Sequence, residues 1–138
     1  MIRGTAPQTL THGHPVPEHP SLGDFVHGFL VYAYARQVTD THERVWCPQW
    51  WRHPEALHRL HVLWRTYEEL RTTGQLGVSA WWCDHADLHM PKLFDPDGPF
   101  KFCSPRTGHK DLLPPLPVDE APAELFPPMT TAAAAPAA

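Results

Sequence analysis

Apolar positions fall into three legible stretches. Over residues 21–38 (SLGDFVHGFLVYAYARQV), Ser21 or Asp24 stands as an N-cap, and Phe25, Phe29, Tyr32 and Arg36 recur at helical spacing, which predicts a helix. Gly28 in its middle costs about 1 kcal/mol of helix propensity. Over residues 54–72 the pattern is strongest. Leu57, Leu60, Trp64, Tyr67 and Arg71 trace one stripe, which Leu63 and Leu70 widen. Pro54 suits the first helical position, Glu55 the first turn, and Gly74 is placed to close the helix. Glu55–Arg59 and Arg65–Glu69 are opposite charges at i,i+4 on its surface. Trp46, Trp50 and Trp51 precede it and are expected beneath its first turn.

Beyond a loop at Gly74 and Gly77 the period is shorter-lived. Ser79 reads as the cap of a short helix to residue 86, and Asp87 as the cap of a second, in whose first turn Pro91 is tolerated. That places a bend between His85 and His89. Residues 95–98 (DPDG) are a turn by composition, and residues 99–103 lead out as an extended strand or loop.

Proline sets the boundaries. Of 17 prolines, residues 1–20 hold four and 101–138 hold eight, leaving five for the 80 residues between. Residues 1–20 are therefore expected to be a disordered Pro/His-rich lead, residues 21–112 one helical domain, and residues 113–138 a Pro/Ala-rich tail, polyproline-like in part. A domain of that size has a modest core, which a metal staple would help.

Charge narrows the function classes. The net charge is −4, and Lys and Arg are scattered rather than clustered, so the electrostatic footprint of a nucleic-acid binder is missing. No apolar run reaches membrane-spanning length. Three cysteines, Cys47, Cys83 and Cys103, are an odd and sparse set that argues for reduced thiols in the cytoplasm.

With eleven histidines, metal chemistry is the natural candidate. His85-x3-His89-x13-Cys103-x5-His109 supplies two short-range pairs separated by a loop, the general logic of a structural zinc site. Asp84 and Asp87 could accept hydrogen bonds from the free imidazole N–H groups. Cys47-x5-His53 repeats the spacing of Cys103-x5-His109 and is the alternative half-site, although His53 could simply cap the helix that Pro54 begins. A zincin-type catalytic site needs Glu directly after the first histidine, where Ala86 stands. No nucleophile elbow, phosphate loop or dinucleotide fingerprint is present.

The segments WCPQWWRHPEALHRLHVLW (46–64), GVSAWWCDHADLHM (77–90) and DPDGPFKFC…GH (95–109) together resemble an actinobacterial domain-of-unknown-function family carried on plasmids, integrative elements and phages. The resemblance spans residues 22–126 and implies a mobile-element accessory protein; it brings no activity, substrate or fold. Its pattern covers Cys47, His53, Asp84, His85, His89, Cys103 and His109. Cys83 stands where relatives carry a basic residue and is left out of the site.

The expectation is thus a mainly α-helical single domain of three or four helices, with disordered ends and a C-terminal knuckle holding zinc through His85, His89, Cys103 and His109. Its function is expected to be that of a protein-interaction module whose partner is another protein. The alternatives are a metal-dependent hydrolase with an open zinc position and a nucleic-acid-binding accessory protein.

Overall fold

A computed structural model describes residues 15–130. Residues 1–14 and 131–138, the outer parts of the two ends expected to be disordered, lie outside the described residues.

Three helices form the domain. Helix α1 (22–33) starts at Ser21, whose hydroxyl accepts from the Asp24 amide at 3.1 Å. Helix α2 (Pro54–Leu70) is the long central one, prolonged by a 3-10 turn at Arg71–Thr73. Helix α3 (75–94) follows a single residue, Gly74, whose φ of 82° and ψ of −159° are open essentially to glycine alone. Leu60 and Leu63 of α2 are fully buried, as are Phe25, Val26 and Leu30 of α1 and Trp81, Ala86 and Leu93 of α3. Trp81 lies at the centre, edge-on to Phe25 and donating its indole N–H to the Leu63 carbonyl at 2.9 Å. Each large side chain removed from water here contributes about 1.5–3 kcal/mol.

Both α1 and α3 contain a turn of π-helix, at Val26–Leu30 and Trp81–Ala86. A π turn takes in an extra residue, so the buried face shifts across it: Phe25 and Val26 are both buried before Leu30 in α1, and burial steps by five from Trp81 to Ala86 in α3. This explains two departures from expectation. In α1 the regular stripe fails at Tyr32, which is 76% exposed, while Tyr34 is buried and donates to Asp87 at 3.1 Å. In α3 the expected two short helices are one. Ser79 lies inside it rather than at a cap, and the expected bend is replaced by the widened turn ahead of Pro91, which has no amide to offer the ladder.

Gly77 is also helical rather than part of a loop. A Cβ there would sit 2.0 Å from the Leu70 carbonyl oxygen, so the close seating of α3 on the end of α2 requires its absence. Of the two expected surface pairs, Glu55–Arg59 forms at 2.8 Å. Arg65 instead lies over the Trp64 ring.

Residues 16–19, the end of the expected lead, run along α2. The Glu68 carboxylate accepts the backbone N–H groups of Glu18 at 2.9 Å and His19 at 2.7 Å, together with Arg71 Nε at 2.8 Å. Burial alone would raise the Glu68 pKa; the donors from His19, Arg71 and Glu18 outweigh it and hold it below the ordinary 4.5. A depressed carboxylate pKa stabilises the fold above the unfolded value, and that contribution is lost as pH falls from 4.5 through the lower folded value. The Glu18 and His19 amides should therefore exchange with solvent faster, relative to their intrinsic rates, at pH 3 than at pH 6, and Glu68→Gln should largely remove the difference.

The DPDG turn forms as expected, with the Gly98 amide donating to the Asp95 carbonyl at 2.8 Å. Residues 99–103 do not extend. They coil through successive turns because Phe100 is fully buried, and Phe102 takes a left-handed φ of 75°. Residues 111–130 are exposed throughout, with one 3-10 turn at Ala123–Leu125. Among the described residues no helix is long and apolar enough to cross a membrane.

Candidate metal centre

Two half-sites of identical spacing meet at the N-terminal end of α2. The first begins where the Val45 amide donates to the Phe94 carbonyl at 2.9 Å and Trp46 packs on Phe94 and Phe100, leaving Cys47 fully buried. A 3-10 turn at Trp50–Arg52 then reverses the chain, locked by Trp50 Nε1 donating to His27 Nε2 at 3.1 Å. A residue before proline is pushed out of the α region. His53 accordingly has φ −106° and ψ 115° and makes no side-chain cap, and its ring faces Cys103 and His109 rather than serving the helix.

The second half-site is a tight hairpin. Ser104 and Gly108 exchange backbone hydrogen bonds at 3.2 and 2.8 Å, and Gly108 supplies a φ of 77°. The Ser104 hydroxyl accepts from the Thr107 amide, filling the turn. The hairpin brings His109 back beside Cys103, and the Lys110 amide donates to Cys103 Sγ at 3.3 Å.

The donor atoms of Cys47, His53, Cys103 and His109 all lie within 4.8 Å of one another. His109 Nδ1 is 3.0 Å from His53 Nε2 and 3.3 Å from Cys47 Sγ, and Cys103 Sγ is 3.6 Å from His53 Nε2. Tetrahedral coordination with ordinary Zn–N and Zn–S bonds has edges of about 3.3 Å between nitrogens and about 3.5 Å between nitrogen and sulfur. The three shortest contacts of the cluster lie within a few tenths of an ångström of these edges. The four side chains could hold a metal ion, and among the described residues no other group of three or more such donors converges.

Burial shapes the electrostatics. It pushes the Cys47 thiol up to about 11, helped by the neighbouring Cys103 and opposed by the Gln49 backbone N–H. Burial, then the neighbouring His109, holds His53 below the ordinary histidine value. Two thiolates and two neutral imidazoles around a divalent ion would make an electrically neutral centre, which suits a buried position.

The structure thus brings together half of the expected set. Cys103 and His109 belong to the cluster; His85 and His89 do not. His89 Nδ1 lies 2.9 Å from Arg59 Nη1, and burial followed by the charge of Arg59 keeps His89 below its usual pKa. A guanidinium at that distance opposes a metal cation. Of the expected second-sphere carboxylates, Asp84 is exposed and Asp87 serves Tyr34. Cys83 is exposed and free. Cys47 and His53, the alternative half-site, complete the cluster, and the repeated Cys-x5-His spacing is the signal that points to them.

A family model for a domain of unknown function matches residues 19–122. No curated protein and no solved structure matches the chain.

Proposed function

The chain belongs to the family described as Domain of unknown function (DUF4913), and from that premise we propose that it is a zinc-stabilised protein-interaction module, an accessory protein of a plasmid or phage acting in the cytoplasm of an actinobacterium. The convergence of four donors from two Cys-x5-His half-sites carries the zinc reading. Two thiolates and two imidazoles in a tetrahedron select zinc over calcium or magnesium, which prefer oxygen. The genetic setting is supported by the three motifs quoted above and by the Ala- and Pro-rich composition.

A closed shell favours a structural ion. Catalytic zinc keeps one position open for water, and four converging side chains count against that arrangement. The hydrolase alternative therefore has no observation behind it here, and the scattered Lys and Arg give none to nucleic-acid binding.

Native mass spectrometry of the purified chain tests the zinc reading. One zinc per chain is expected, and it should persist in a His85→Ala/His89→Ala protein. A metal-free parent chain, or loss of the ion from that double variant, would show that the cluster at Cys47 is not the site.

A further inference from the structure

A groove of about 180 Å³ opens between the ends of α1 and α3. Leu30 and Met90 floor it, Tyr34, Trp46 and Phe94 line it with rings, and Val31 and Arg36 border it. Sites for small molecules usually enclose about 300–1,000 Å³. This one suits one or two side chains of a peptide. Arg36 stacks over Tyr34 and has no carboxylate partner among the described residues.

The same chain carries a segment of matching chemistry. Residues 112–119 (LLPPLPVD) lie within the family match yet are exposed, with Leu116 and Val118 each 87% accessible. Polyproline II has three residues per turn and rises about 3.1 Å per residue. That period sets Leu113, Leu116 and Asp119 on one side: two apolar side chains for an aromatic-lined groove, then an acid for Arg36. A pre-extended Pro-rich segment loses little entropy on docking, which is why such segments recur as ligands of aromatic grooves. The chain's own segment is exposed, off its own groove.

We propose that this groove receives residues 112–119 of a second copy of the chain, each copy giving its segment to the other in a two-fold dimer. The proposal rests on the interaction reading above, to which it gives a partner; it does not depend on zinc.

Sedimentation of the full chain over micromolar to submillimolar concentrations tests it. The parent should be dimeric. Leu116→Ser, which spoils the segment, and Val31→Glu, which spoils the groove, should each weaken association about tenfold or more, since each sets a polar group where the docked pair would bury apolar surface. Zinc content and helical circular dichroism should stay at parental levels, separating this outcome from a failure of the metal reading. Mixing the two variants should restore a one-to-one pair, because one intact groove and one intact segment remain between them. A monomeric parent overturns the proposal, whether its groove is empty, filled by its own segment or filled by another protein. So does a dimer indifferent to both substitutions.

Discussion

Cys103→Ser should purify without stoichiometric zinc and should melt far below the parent, or fail to fold at 37 °C. Cys103 is only 3% exposed and lies within 3.6 Å of His53 Nε2, so a hydroxyl in its place leaves three donors around a buried ion. Apparent binding energies of structural zinc are on the order of 10 kcal/mol at neutral pH. Whole small domains are stable by only about 5–15 kcal/mol. Weakening the ion's hold thus removes a contribution comparable to the entire margin. Differential scanning fluorimetry with and without chelator reads this directly. The chelator should lower the parent's melting temperature and leave the variant's unchanged. Equal melting of parent and variant would exclude Cys103 as a ligand.

Gly77→Ala should cost about 3 kcal/mol, near the top of the usual range for overpacking. The added methyl would fall 2.0 Å from the Leu70 carbonyl oxygen and 1.9 Å from Thr73 Oγ1. The threonine can rotate away, but the carbonyl belongs to the α2 backbone and moves only with it. At roughly 4–8 °C per kcal/mol, the melting temperature should drop by about 12–24 °C. Gly28→Ala is the matched control. Nothing lies within 4 Å of a Cβ there and the residue is helical, so the same change should stabilise by about 0.5–1 kcal/mol. Thermal melts monitored by circular dichroism give both values; a Gly77→Ala protein as stable as the parent would mean that α3 sits further from α2 than described.

What was legible in the chain follows from how local each signal is. Helix α2 was plain because Pro54, its charge pair and a regular stripe agree within one segment. The continuity of α3 was hidden because its π turn breaks the 3.6-residue period, and because Gly77 serves helix–helix contact, which no local pattern reports. At the site, Cys103 and His109 are legible as a pair because five residues separate them, and the hairpin that joins them is itself local. Their partners Cys47 and His53 come from fifty residues away, and nearness in sequence favoured His85 and His89 instead. Only packing of Trp46 on Phe94 and Phe100 decides that contest.

With the ion in place, His53 and Cys103 become the ends of a ring of about fifty residues, whose closure is worth roughly 4 kcal/mol in the entropy denied to the unfolded chain. The ring encloses α2 and α3, whereas α1 lies outside it. Helix α1 itself is held by its apolar face, by Trp50 to His27 and by Tyr34 to Asp87, with Glu68 clamping the residues just ahead of it. The first helix is therefore the element able to peel away while the remainder stays knotted.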